Sequence, residues 1–150
     1  MMIDLQEQWD RDFDWFAVDA VGQLAHFTTA GMKKLPESVA VSAEDLALIT
    51  SYFEKIAAHR GFHEVESNIS EKNGDRYLRS FIAMADKGLF SFDIESHLAP
   101  SAAYFRVATP TSPLHLSELP TPISDIVART RIEGTFSQRL HIPYDETVPL

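Results

Sequence analysis

Between Phe13 and Val18 the chain is almost continuously apolar, through Phe13, Trp15, Phe16, Ala17 and Val18, with Asp14 and Asp19 as punctuation. A strand that is apolar on both alternating faces is covered on both sides, which predicts a central strand. Gly22 supplies the positive φ that a short hairpin loop needs. On the return strand Leu24, His26 and Thr28 share one face, and Ala25, Phe27 and Thr29 share the other. The chain thus opens with a β-hairpin, closed at Ala30-Gly31 and followed by a crossover loop through Leu35 and Pro36.

The period then changes. Ser42 with Asp45 forms a capping pair ahead of Leu46, Ile49, Phe53, Ile56 and Ala57, which recur at helical spacing as far as a stop at Gly61. Residues 65–69 read as a short strand or an irregular lead-in. Asn73-Gly74 reads as a turn, and a second helix from Asp75 to Gly88 turns Leu78, Phe81, Ile82 and Ala85 inward. Residues 89–94 alternate, with Phe90, Phe92 and Ile94 on one face, and residues 104–108 form a further strand. The proline-rich stretch 109–122 is extended loop with one helical turn at Ser117-Glu118-Leu119. Thr121-Pro122 opens a short third helix through Ile123, Ile126 and Val127. Residues 132–136 read as a strand, and residues 138–150 as a surface tail. Strands, then helices, then strands and a terminal helix predict an α+β fold. The expected architecture is one domain over residues 1–150, a mixed or antiparallel sheet opening with a hairpin and about three helices packed on it. Residues 1–12 form an acidic lead-in.

Charge sharpens this picture. The chain of 150 residues carries 22 acidic and 13 basic side chains, a formal net charge of -9. Residues 1–19 hold Asp4, Glu7, Asp10, Asp12, Asp14 and Asp19 against Arg11 alone, so -5 of that total lies at one end. Such a chain repels a phosphate backbone and has no basic stripe with interleaved aromatics, so no nucleic-acid partner is expected. An acidic patch suits a basic protein partner, because charge complementarity raises association rate and selectivity. With no cysteine, thiolate chemistry and disulfides are excluded. The acidic start lacks the apolar core of a signal peptide, and no apolar run reaches the ~20 residues of a membrane span. A cytoplasmic protein with no membrane partner and no cofactor is expected.

Asp14 and Asp19 bracket the first strand on opposite faces, so they do not converge as an acid/base pair. His26 and Thr28 share a face that either belongs to the core or lines a cleft with Asp14. Asp93, Glu95 and His97 stand at i, i+2, i+4, the best metal or acid/base row in the sequence. The opposite face carries Phe90, Phe92 and Ile94, which predicts that the row faces solvent. His59 and His63 have helical i, i+4 spacing, with Gly61 between them. Trp15 is expected in the core, whereas Trp9, outside the strand and beside Asp12, is a candidate interface anchor.

The strings Trp15-Phe16-Ala17-Val18-Asp19, His26-Phe27-Thr28-Thr29, Lys87-Gly88-Leu89-Phe90-Ser91-Phe92-Asp93 and Pro113-Leu114-His115-Leu116-Ser117-Glu118-Leu119-Pro120 resemble those of small bacterial α+β proteins of unknown function. The resemblance spans most of residues 13–125 and implies a compact domain without assigned catalytic residues. In character, small, acidic and cysteine-free, the chain is also similar to immunity proteins that neutralise toxins. The leading expectation is a non-enzymatic protein-binding domain, immunity-like, using Trp9, Asp12, Asp14, His26 and Thr28 against a basic partner. The alternative is a small enzyme or ligand- or metal-binding domain, with a cleft built from the hairpin and the Asp93/Glu95/His97 row. A homodimeric structural protein is a third reading.

Overall fold

The computed structural model describes residues 1–29, 31, 34–64, 69–95 and 103–143. Within them run α1 (Leu5–Asp10), β1 (Asp14–Val18), β2 (Leu24–Thr28), α2 (Glu37–Ala40), α3 (Ala43–Lys55), β3 (Phe62–Glu64), α4 (Ile69–Asp86), β4 (Phe90–Ile94), β5 (Ala103–Pro110), α5 (Thr121–Val127) and β6 (His141–Pro143). The α+β architecture stands. The sheet is mixed, ordered β1-β2-β4-β5-β3, with β6 also paired to β5. Among the described strand pairs only β2–β4 is parallel.

The hairpin forms as its alternation requires, with Trp15 opposite Phe27 and Phe16 opposite His26. One face of the sheet carries Trp15, Phe27, Phe92 and Tyr104. Trp15 stacks on Phe27 at 4.1 Å between ring centroids, and Phe27 on Phe92 at 4.9 Å. Phe136 and Ile142, from the segment after α5, are fully buried and close this side. The other face lies beneath the helices. Phe16 meets Phe53 of α3, and His26 meets Phe81 of α4.

β1 is therefore covered on both faces, yet it is an edge strand and not the central one. Its double covering comes from aromatic partners on one side and α3 on the other, which a pattern of apolar residues does not separate from a central position. Four further expectations change. α3 stops at Lys55 with Ile56 as its C-cap, so His59 and His63 do not share a helix face, and His63 lies on β3. Asn73-Gly74 lies inside α4 and makes no turn. Residues 132–136 form no strand, only a bridge at Arg131 to Val18 and a 3-10 turn from Phe136. Of the expected surface tail at 138–150, residues 141–143 instead form β6, whose Ile142 is buried and paired with Tyr104, and residues 144–150 lie outside the described residues. Of the expected strand or irregular lead-in at 65–69, residues 65–68 lie outside the described residues, and Ile69 begins α4.

Two local devices position the surface beside β1. The acidic lead-in contains α1, where Asp4 accepts the Glu7 amide at 2.8 Å as N-cap. Buried Gln8 holds α1 down by donating to Ile3 C=O and accepting from Leu35 N–H, both at 2.8 Å. α3 is capped as expected by Ser42, which accepts the Asp45 amide at 3.1 Å. Its C-terminal carbonyls at Phe53 and Glu54 accept from the Lys87 ammonium, a cation where the helix dipole favours one.

Candidate functional site

β1 and β2 bring the sequence candidates together at the start of the hairpin. Asp14 lies opposite Thr28, and Thr28 lies opposite Asp93 on the parallel neighbour β4. Two residues along, Phe16, His26 and Ser91 form the next row on the same face. Neighbouring positions here do face each other. His26 Nε2 stands 2.9 Å from Asp14 Oδ1, and Nδ1 stands 2.9 Å from Ser91 Oγ. A carboxylate only accepts, so the network assigns the proton to Nε2, and in the neutral ring Nδ1 accepts from the Ser91 hydroxyl. Thr28 donates to Asp12 Oδ1 at 2.9 Å.

Serine, histidine and aspartate in a hydrogen-bonded row invite comparison with a nucleophilic triad, and burial decides the matter. A nucleophilic serine must reach its substrate. Ser91 is 0% exposed and His26 3%, whereas the Asp14 side chain is 47% exposed. The solvent end of the row is a carboxylate, with the imidazole buried behind it as its support. Asp93 is buried as well, and its Oδ1 accepts the Ile94 amide at 2.8 Å. The expected solvent face of β4 is thus corrected. Both faces of β4 are interior, one against aromatics and the other beneath α4. Glu95 is exposed, and its amide donates to Ala103 C=O. His97 lies outside the described residues. Among the described residues no three His, Asp or Glu side chains are grouped to hold a metal ion.

Asp14 opens into a groove of about 420 Å³ between α1, α3 and the start of β1. Among the described residues four carboxylates line it, Glu7, Asp12, Asp14 and Glu54, with Arg11 as the one cation. Arg11 is already paired with Glu7 at 3.1 Å and rests over the Phe13 ring. The groove exists because the flank of α3 that borders it is small or polar, with Ala43, Ala47, Thr50 and Glu54 at i, i+4, i+7 and i+11. Large side chains sit on the adjacent stripe, Leu46, Ile49 and Phe53, which is buried.

Trp9 is half exposed, as is Leu5 one turn before it. Both lie on the flank of α1 opposite Glu7 and Arg11, across the buried Gln8, and Trp9 does not line the groove. Glu7, Glu54, Thr50, Ser51 and Ser91 were not singled out by the sequence. Their only signal is the polar side of three segments, α1, α3 and β4, which does not reveal which neighbour that side meets. Asp19 belongs elsewhere. It is buried and accepts the amides of Val21, Gln23 and Phe136 at 3.1, 2.8 and 2.9 Å, so it holds the hairpin turn and the C-terminal segment together.

No protein-family model matches the chain, and no curated protein or solved structure is significantly similar to it. Among the described residues no helix is long and apolar enough to cross a membrane.

Proposed function

We propose that this chain is a non-enzymatic protein-binding domain that receives a basic partner in the acidic groove between α1, α3 and β1. An immunity-like role, in which covering the partner's basic surface neutralises it, is the form this reading takes. The observation that carries it is the groove's charge, among the described residues four carboxylates against a single arginine already paired to one of them. Aligned charge of one sign in a concave surface raises encounter rates by roughly 10–1,000-fold, and the gain falls with salt. Asp14 suits the task because its carboxylate is accessible while His26 and Ser91 fix it from behind. The reading keeps the cytoplasmic setting expected from the sequence.

Capture from the source-cell lysate on immobilised protein, at low and high salt, tests the proposal. A partner held at low salt, released at high salt and lost with Glu54→Lys supports it. Absence of any salt-sensitive partner removes it. A second reading, a site for a small cationic ligand, draws on the convergence of Asp12, Asp14, Thr28, His26 and Asp93 at one end of the hairpin. A thermal-shift screen with small polyamines and divalent cations separates the two, since a ligand that binds only the native state raises the melting temperature.

A further inference from the structure

β1 has an open edge, and strand parity says which backbone groups lie on it. Odd residues bond towards β2. Thr29 N–H donates to Phe13 C=O at 2.9 Å, and Asp19 N–H donates to Gln23 C=O at 2.9 Å. In an antiparallel pair the alternate residues turn both backbone groups the other way, so Asp14, Phe16 and Val18 present N–H and C=O outward. At Val18 the chain uses them itself. Val18 N–H donates to Thr130 C=O, and Val18 C=O accepts from Ile132 N–H, both at 3.0 Å, around a parallel bridge to Arg131.

The chain does not continue along this edge. Four residues before Arg131 it is still in α5 (Thr121–Val127), so among the described residues no strand reaches the positions opposite Phe16 and Asp14. Opposite Phe16, side chains including Ser38, Val39, Ile126 and Thr130 leave a cavity of only about 10 Å³. Opposite Asp14 the edge opens into the acidic groove, and among the described residues no group meets Asp14 N–H or C=O. The groove, at about 420 Å³, falls in the size range of clefts that hold ligands.

We propose that the basic partner enters this groove as an extended segment that adds to β1 as a short parallel strand, with a lysine or arginine opposite Asp14. The proposal rests on the acidic-groove reading above and names the partner's conformation and register. The residue before that lysine or arginine accepts from Asp14 N–H, and the residue after it donates to Asp14 C=O, the pattern that Thr130, Arg131 and Ile132 make at Val18. Directly opposed residues project on the same face, so the cationic side chain stands beside the Asp14 carboxylate, with Asp12 and Glu54 lining the same groove. Main-chain bonds to a strand edge supply the docking, and the carboxylates choose the side chain.

The probe is a synthetic peptide, acetyl-Val-Lys-Val-Lys-Val-amide, titrated at low salt into ¹⁵N-labelled protein. Hydrogen exchange is read at the Asp14 amide. Saturation should slow that exchange at least tenfold, and N-methylation of the two valines that follow the lysines should weaken binding at least tenfold. Retained dispersion in the amide spectrum confirms that the protein stays folded. A lysine peptide that binds with the Asp14 amide unprotected, or equally well when N-methylated, overturns strand addition and leaves the charged groove standing. The same holds if a Glu54-dependent basic protein binds but the peptide does not. Failure of every basic probe and every basic partner removes both proposals.

Discussion

Replacing Ser91 and Asp14 by alanine, one at a time, separates the two ends of the His26 network. Ser91 is 0% exposed, so its hydroxyl sits in the interior, out of contact with solvent. Ser91→Ala therefore strands His26 Nδ1 as a buried acceptor, at a cost of about 1–3 kcal/mol. The Asp14 side chain is 47% exposed at the groove. Its removal lets groove water take over the His26 Nε2–H, so the loss should stay below about 1 kcal/mol. For a domain of this size each kcal/mol moves the melting temperature by roughly 2–4 °C. Ser91→Ala should melt about 4–8 °C below the parent for a loss near 2 kcal/mol, and Asp14→Ala within about 3 °C of it. Urea titration with unchanged m-values would show that stability alone has moved. The histidine ¹⁵N shifts give an independent reading, because Ser91→Ala frees Nδ1 while leaving Nε2–H donating to Asp14. If Asp14→Ala proves as costly as Ser91→Ala, the carboxylate is a structural group and not one held ready for a partner.

Three other perturbations check the frame that holds the groove. Gly22 sits at φ +86°, and a Cβ there would overlap the His115 ring, whose Nε2 pairs with Val21 C=O at 2.9 Å; Gly22→Ala should cost about 2–3 kcal/mol, and His115→Ala in the same chain should recover only the overlap. Burial pushes the Tyr104 phenol above the ordinary tyrosine value, although the bond from Trp15 Nε1 at 3.2 Å pulls the other way. A group whose folded pKa is raised contributes fully below its unfolded pKa, near 10 for tyrosine, and loses that contribution as pH climbs above it; the melting temperature should fall above about pH 10, less steeply in Tyr104→Phe, and equal slopes would refute the assignment. Phe27, 0% exposed and stacked between Trp15 and Phe92, should cost about 3–5 kcal/mol on truncation to alanine, enough to unfold much of the population in mild urea.

The hairpin, the Ser42 cap and the buried stripe of α3 were legible because each is a local pattern with a local cause. What was not legible is adjacency. An all-apolar strand reports that both faces are covered and is silent about its edges, which is why β1 reads as central while lying at the end of the sheet. Alternation along β4 separates two faces and does not say that both are buried, so it points Asp93 to solvent although the side chain lies inside. The turn signal of Asn73-Gly74 was overridden by a helix spanning 18 residues, whose later turns bury Leu78, Phe81 and Ala85. α1 and β6 are each too short for a periodicity to show. They are held instead by single buried residues, Gln8 in one and Ile142 in the other. The groove combines these blind spots, since its walls come from α1, α3 and β1, and only the fold sets them side by side.

The acids of this chain divide by what they already do, and that division yields a last test. Asp19 is spent on three backbone amides, Asp4 caps α1, and Glu118 accepts the His115 amide and then Arg60, two bonds that hold its carboxyl below the usual range. The groove acids are less committed. Asp12 accepts one hydroxyl, Asp14 one imidazole N–H, and among the described residues no side chain pairs with the Glu54 carboxylate. Acids kept together without cations repel, so if their purpose were the fold, neutralising one should weaken it. If their purpose is a partner, neutralising one should relieve repulsion. Glu54→Gln keeps the size and polarity of the side chain. It should leave stability unchanged or raise it by a few tenths of a kcal/mol, the usual scale for exposed charges, while weakening capture of the basic partner at low salt. Measuring both on the same variant makes the inference decisive, because lower stability together with intact capture would assign the acidity of the groove to the fold.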